Sequence, residues 1–165
     1  MEKETNIDSV QIQDVTERIK TFEDACEEIG EGRCMIEEYK NITQRTTVIS
    51  KSLLAYLKLR IITAALNEEW EPQYNTEEEC HWPLFTILKD EEYIELREKK
   101  KEWIKKFIIK RGMCYVMVGS APLSANLLVN SALAFKSMEL AVYAVKQFYK
   151  LYADFFFNGQ EECGK

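Results

Sequence analysis

The sequence predicts an α+β fold, in which N-terminal helices pack with a small antiparallel sheet closed by a C-terminal amphipathic helix. Three observations predict it. Apolar residues recur at helical spacing before residue 70, short apolar runs bounded by turn residues follow, and the longest amphipathic pattern begins after residue 137. The chain has 165 residues, 46% of them hydrophobic, which favours a single domain over residues 1–165 with a sizeable core. Residues 1–12 and 158–165 are expected to be flexible, and residues 89–111 to form a charged insert.

The N-terminal segment is predicted to form two short helices joined by a tight turn. Val15 and Ile19 lie four residues apart, on one face of the first helix. Thr21 and Asp24 resemble a capping box with Asp in place of Glu, and Gly30 can end the second helix. The acidic surface of these two helices argues against a helix-turn-helix unit that binds DNA.

Two further helices are predicted before residue 70, one over residues 33–42 and a longer one from Ser50 to Asn67. Pro72 disfavours helical structure just before it, and Asn67 is expected to end the helix in the left-handed conformation. The long helix carries a wide apolar stripe, formed by Leu53, Leu54, Leu57, Ile61, Ala64 and Ala65.

Three strands are predicted between this helix and the C-terminus. They cover residues 84–88, residues 113–118 and residues 132–136. Residues 119–122, with the sequence Gly-Ser-Ala-Pro, are expected to turn the chain. Residues 90–110 fit either an amphipathic helix or, towards their end, the start of a strand.

Ser137 is predicted to cap a long C-terminal helix. One face of this helix is apolar over several turns, and burial of each large side chain stabilises the fold by about 1.5–3 kcal/mol. The helix is therefore expected to lie on the sheet as its lid. The apolar face consists of Leu140, Ala141, Ala144, Val145, Phe148, Leu151 and Tyr152.

Six short motifs occur in a fixed order along the chain: Lys20–Cys26, Ala65–Pro72, Trp82–Phe85, Ala134–Ala141, Gln147–Phe148 and Leu151–Phe155. Together they resemble a group of uncharacterised small proteins carried by phages of gut Bacteroides-type bacteria, including crAss-like phages and related prophages. The resemblance implies a phage or mobile-element origin and a fold of the kind described above. It supplies no catalytic residue, and the chain departs from the group in its charged insert.

Residue types that carry catalysis are sparse in this chain. The single histidine, His81, is expected at a strand edge or in a loop against an aromatic ring, with a role as general base or ligand as the alternative. The five cysteines contain no C-x-x-C pair, and no phosphate-binding glycine motif occurs. Acidic clusters at residues 68–71 and 77–79 are expected to be solvated. The sequence therefore predicts a protein that is not an enzyme and has no cofactor and no metal.

The strongest functional signal is a basic segment within residues 91–111. It contains eight basic and five acidic residues, whereas the whole chain has a net charge of -6. Its candidate binding residues are Arg97, Lys99, Lys100, Lys101, Trp103, Lys105, Lys106 and Phe107. Basic grooves with aromatic side chains bind single-stranded nucleic acid. At helical spacing, however, Trp103 and Phe107 share one face, which makes them core residues or a ridge for a protein partner.

These observations predict a non-enzymatic phage or mobile-element accessory protein that acts by macromolecular binding to a protein partner or to itself. Single-stranded nucleic-acid binding through residues 97–115 is the alternative. No small-molecule substrate is identified. The N-terminus is acidic and polar, unlike a secretory signal, and no apolar run approaches the ~20 residues of a membrane span. A location in the cytoplasm of a bacterial host is therefore expected.

Overall fold

The computed structural model describes residues 15–45, 48–73, 77–87, 108–109, 113–122 and 131–157. Residues 15–18 are helical and are called α1. The other helices are α2 (Phe22–Ile29), α3 (Cys34–Arg45), α4 (Lys51–Leu66) and α5 (Met138–Phe157). Between α4 and α5 lie β1 (Glu79–Ile87), β2 (Ile108–Ile109), β3 (Met113–Pro122) and a 3-10 turn (Ser131–Leu133). The predicted α+β class is confirmed.

The start of α2 shows how local chemistry sets a helix boundary. The Thr21 hydroxyl accepts a hydrogen bond from the Asp24 N–H at 3.1 Å, and the Asp24 carboxylate accepts from the N–H groups of Lys20 and Thr21. These donors, the Lys20 N–H above all, hold the pKa of Asp24 below its usual value. Gly30 ends α2 with a φ of 85°. The capping box and the glycine stop are both confirmed.

Helix α4 is the centre of the helical layer, because α2, α3 and α5 all pack against it. Ser50 caps it by accepting a hydrogen bond from the Leu53 N–H at 3.2 Å. The predicted stripe is only partly correct, since Leu53 is 44% exposed whereas Leu59 and Ile62 are buried. A helix with neighbours on several sides buries more than one face, so a single stripe does not describe it.

The end of α4 differs from its prediction. Asn67 has the right-handed conformation (φ -79°), and the positive φ values fall on Glu68 and Glu69 instead. The Asn67 side chain is buried and makes two hydrogen bonds: Nδ2 donates to the Ala134 carbonyl at 2.8 Å, and Oδ1 accepts from the Lys136 N–H at 3.1 Å. Asn67 therefore serves as a tertiary link rather than as a left-handed cap.

The sheet has the order β1-β3-β2 with antiparallel pairing throughout. Strand β1 begins five residues before its predicted start, and its first residue, Glu79, pairs with Pro122. Strand β3 extends past residue 118, so the predicted turn at residues 119–122 is wrong. Gly119 lies beneath Leu84, whose Cδ1 would be 3.1 Å from an added Cβ, so this glycine permits close packing of β1 on β3.

The predicted strand over residues 132–136 is also wrong. Ser131–Leu133 form a 3-10 turn, and only Phe135 joins the sheet, through an isolated bridge to His81 with N···O distances of 3.0 and 2.9 Å. The Asn67 side chain hydrogen-bonds to the Ala134 carbonyl and the Lys136 N–H. In a strand, these two backbone groups would instead pair with a neighbouring strand. The alanines of this segment also have low strand propensity.

Helix α5 confirms its prediction. The Ser137 hydroxyl accepts from the Leu140 N–H at 3.3 Å, and the predicted face is buried apart from Leu151, which is half-buried. The helix packs against both α4 and the sheet, and the Phe85 and Tyr152 rings lie 5.2 Å apart across that contact. The helix therefore joins the helical layer to the strands in one core.

The expected flexible ends, residues 1–12 and 158–165, lie outside the described residues. So does the charged insert, apart from Ile108–Ile109, where the chain is a strand paired with β3. Within the described ranges, no helix combines the length and apolar character needed to cross a bilayer.

Candidate functional site

The predicted binding residues Arg97, Lys99, Lys100, Lys101, Trp103, Lys105, Lys106 and Phe107 all lie outside the described residues. Two other features stand out in the part of the chain that is described. One is a groove beside the C-terminal half of α4, and the other is an aromatic cluster where the start of α4 meets the end of α5.

The groove is formed by two adjoining cavities of about 320 and 380 Å³. Both are lined by Met35, Ala64, Trp70 and Glu71, so the two cavities share one wall. The Trp70 Nε1–H donates to the Glu78 carboxylate at 2.8 Å, and this bond fixes the position of the indole. The groove thus combines an apolar wall with charged residues.

Polar groups occupy one wall of the 320 Å³ cavity, along α4. Arg60 Nη1 donates to Glu38 Oε2 at 2.9 Å, and the Arg60 guanidinium lies 5.8 Å from the centre of the Tyr56 ring. Thr63 is 2% exposed, and its hydroxyl has no hydrogen-bond partner among the described residues. The hydroxyl oxygen is itself buried, so it does not open onto the cavity.

The acidic residues that follow α4 are exposed, as expected, and two of them also form ion pairs. The Glu68 carboxylate contacts Lys136 Nζ at 2.8 Å and Arg18 Nη2 at 3.3 Å, and its side chain is 31% exposed. The hydrogen bond from Lys136 is the main cause that lowers the pKa of Glu68. Glu69 pairs with Arg33 at the border of the 380 Å³ cavity. Glu71 is exposed and has no ion-pair partner among the described residues.

His81 lies in β1, half-buried, with Nδ1 2.6 Å from the Ser120 hydroxyl oxygen. Its neighbour Cys80 is 1% exposed and packs with Trp82 and Ala134. Adjacent strand residues point to opposite faces, so Cys80 and His81 do not converge on one metal. Among the described residues, no group of three or more His, Cys, Asp or Glu side chains has the arrangement of a metal site.

The aromatic cluster consists of Tyr56, Phe85, Tyr152, Phe155 and Phe156. Ring centres lie 5.0 Å apart for Phe155 and Phe156, 5.1 Å for Phe85 and Phe156, and 5.8 Å for Tyr56 and Phe155. The cluster grades from a buried member, Tyr152 at 3% exposure, to an exposed one, Phe156 at 51%. Burial raises the pKa of Tyr152 strongly, so this phenol stays neutral.

Sequence reasoning missed both features. The run Phe155–Phe157 at the end of an apolar helix was the available signal for the cluster, because three adjacent aromatics cannot all face the core. Thr63 carried a weaker signal, as a polar residue within a helix that is otherwise apolar on most sides.

Comparisons with known proteins supply no family for this chain. No family model matches it, and neither a curated protein nor a solved structure matches it.

Proposed function

We propose that this chain is a non-enzymatic binding protein that recognises another protein, and that the aromatic cluster is the contact surface. One observation carries the proposal. Phe156 is 51% exposed, yet its ring is held between Phe85 and Phe155 at centre distances of 5.1 and 5.0 Å. An exposed aromatic ring with a fixed position is the kind of side chain that dominates protein–protein interfaces.

The end of α5 is anchored, which reduces the conformational entropy that binding would remove. The Ser52 hydroxyl donates to the Phe155 carbonyl at 2.6 Å, and the Phe155 ring stacks on Tyr56. These contacts attach the last turns of α5 to the first two turns of α4. A surface ordered before binding loses less entropy on binding than a loose one.

Other exposed apolar side chains lie next to the cluster along the chain. Leu53 lies three residues before Tyr56, on the same side of α4. Tyr149 lies seven residues before Phe156, on the same side of α5. Leu53 is 44% exposed and Tyr149 is 38% exposed. Exposed apolar groups gathered in one region mark interaction sites.

The resemblance to phage proteins supports a role as an accessory protein of a phage or mobile element, acting in the cytoplasm of its bacterial host. In this role the chain binds a protein partner or a second copy of itself, and it needs no cofactor.

The test compares the wild-type chain with Phe156→Ser, by light scattering for self-association and by pull-down from bacterial lysate for other partners. We expect Phe156→Ser to abolish the association that wild type shows. Val48→Ser is the matched control, because Val48 is 84% exposed and belongs to no cluster. A monomeric wild type that captures no partner would contradict the proposal, as would capture that both variants leave unchanged.

The basic segment supports a second candidate function, binding of single-stranded nucleic acid. Residues 91–111 contain eight basic and five acidic residues, whereas the rest of the chain is acidic. Titration of labelled oligothymidylate at two salt concentrations tests this, because phosphate contacts weaken as salt rises. Replacement of Lys99, Lys100, Lys101, Lys105 and Lys106 by Gln should abolish the binding. Absence of binding at low salt would rule this candidate out.

A further inference from the structure

The aromatic cluster continues onto one exposed side of α5. Tyr149, Ala153 and Phe156 lie at positions i, i+4 and i+7, so all three are on the same side of the helix. They follow the kink at Phe148, so their spacing belongs to one regular stretch of helix. Tyr149 is 38% exposed, Phe156 is 51% exposed, and Ala153 is half-buried. Two exposed aromatic positions about 10 Å apart along the helix axis thus flank one small residue.

This pattern fits a second helix rather than an extended segment. A small residue between two large ones leaves a recess, into which a side chain of a neighbouring helix can insert. An extended peptide would instead pair with free backbone groups at the edge of a sheet, and the surface of a helix does not offer such groups. The exposed side of α5 therefore has the form of a helix-docking surface.

The surface around the cluster is basic, although the chain as a whole is acidic. Residues 51–54 at the start of α4 contain one lysine and no acidic residue, and residues 146–157 of α5 contain two lysines and one aspartate. The two stretches meet at the hydrogen bond between Ser52 and Phe155. Three lysines and one aspartate give this surface a net charge of +2, whereas the whole chain has a net charge of -6.

Two of these lysines lie beside the exposed rings. The Nζ of Lys150 is 6.0 Å from the centre of the Tyr149 ring, and Lys146 lies one turn earlier on α5. Both side chains are exposed, and neither forms an ion pair with a described residue. Unpaired ammonium groups around an apolar surface favour a partner that carries carboxylates around apolar side chains.

The chain itself does not supply this combination within its described residues. Residues 15–45 contain eight acidic and five basic residues, but none of the exposed large apolar side chains lies there. Pairing two copies through the cluster would bring like charges together. The sequence of residues 158–165 contains Glu161 and Glu162 but no large apolar residue for the rings.

From this geometry and charge we infer that the cluster binds an acidic amphipathic helix of another protein, which lies along α5. An aliphatic side chain of that helix inserts over Ala153, between Tyr149 and Phe156. Carboxylates on its flank face Lys146 and Lys150. The inference rests on the proposed function and adds the chemistry of the partner. A nucleic acid would bring phosphates to the lysines, but a recess between two rings suits an aliphatic side chain rather than a flat base.

Fluorescence anisotropy with the full chain tests the inference with three labelled probes. The first is a lactam-bridged helical peptide of about 18 residues, with a leucine stripe flanked by glutamates. The second has lysine in place of each glutamate, and the third is oligothymidylate. We expect saturable binding of the glutamate peptide, at least about tenfold tighter than that of the lysine peptide and weaker as salt rises. Equal binding of the two peptides, no binding of either, or tighter binding of oligothymidylate would overturn the inference.

The variant Lys150→Glu locates the contact. It should weaken binding of the glutamate peptide by about fivefold or more, because it reverses the charge beside Tyr149. Lys40→Glu is the matched control and should not change the affinity, since it makes the same charge change on α3, at a side chain that is 41% exposed. Unchanged binding in Lys150→Glu would refute the inference. Lysate capture that is lost in Phe156→Ser but kept in Lys150→Glu would refute the acidic partner and leave the proposed function standing.

Discussion

At the scale of single residues, Asn67 links the end of α4 to the segment that precedes α5. It is 3% exposed and holds two backbone groups, at Ala134 and Lys136, that no strand pairs. Asn67→Ala should lower the free energy of unfolding by about 2–4 kcal/mol, because both groups lose their partner inside the protein. Urea unfolding followed by circular dichroism measures this.

Two comparisons sharpen that prediction. Asn67→Asp keeps the acceptor for the Lys136 N–H but places a buried carboxylate oxygen against the Ala134 carbonyl. It should therefore destabilise the fold at least as much as Asn67→Ala at neutral pH. Asn41→Ala changes an exposed asparagine of α3 and should stay within about 0.5 kcal/mol of wild type. Equal stability of Asn67→Ala and Asn41→Ala would show that the hydrogen bonds of Asn67 do not stabilise the fold.

Glu68 predicts how stability depends on pH. Its pKa in the folded chain is lowered from 4.5, chiefly by the hydrogen bond from Lys136. The unfolded state therefore binds the proton more readily, so Glu68 contributes stability above pH 4.5 that disappears as pH falls through its folded pKa. Glu68→Gln should be less stable than wild type at pH 7, and the difference should shrink in acid.

Thermal unfolding at a series of pH values measures this difference. Glu17→Gln is the matched control, since Glu17 is an exposed glutamate of α1. A difference between wild type and Glu68→Gln that stays constant from neutral pH into acid would contradict the assigned role of the carboxylate.

At the scale of elements, the start of α2 offers a clean test of capping. The Thr21 hydroxyl and the Asp24 carboxylate satisfy N–H groups that the first turn leaves without helical partners. Thr21→Ala should cost about 1 kcal/mol, whereas Thr21→Ser retains the hydroxyl and should cost only a few tenths. Equal stability of these two variants in urea unfolding would show that the cap contributes nothing.

The elements also show why sequence reasoning succeeded for helices and failed for parts of the sheet. The helices begin or end at capping residues that act on backbone groups only a few positions away, so a short stretch of sequence is enough to predict them. These capping residues are Thr21, Gly30, Ser50 and Ser137. The segment at residues 132–136 is instead governed by Asn67, which is distant in the chain. The polar start of β1 becomes a strand only because residues 119–122 of β3 pair with it.

The candidate sites, like parts of the sheet, depend on contacts between residues that are distant in the chain. The aromatic cluster joins Tyr56, Phe85 and Phe155, which come from three different elements, so no local pattern announces their contact. The groove likewise needs α3, α4 and the Trp70 segment together. The basic segment at residues 97–107 stays a prediction, because it lies outside the described residues.

At the scale of the whole molecule, one buried cluster runs from Val15 in α1 to Tyr152 in α5. Leu140 is fully buried in it, so Leu140→Ala should cost about 2–5 kcal/mol. Leu84→Ala, at a 44% exposed leucine, is the control and should cost much less. Since a shared core couples the layers, circular dichroism and tryptophan fluorescence should report the same shifted midpoint. Midpoints that separate in Leu140→Ala would indicate that helices and sheet unfold independently.

The bond between Asn67 and Ala134 has an evolutionary consequence. The chain leaves the helical layer at Asn67 and returns 67 residues later at Ala134, whose carbonyl bonds to the Asn67 side chain. This hydrogen bond joins the two ends of the segment between them. Because β1 and β3 in this segment pack against α5, descendants of this protein can replace the segment only if its strands still present apolar side chains to that helix.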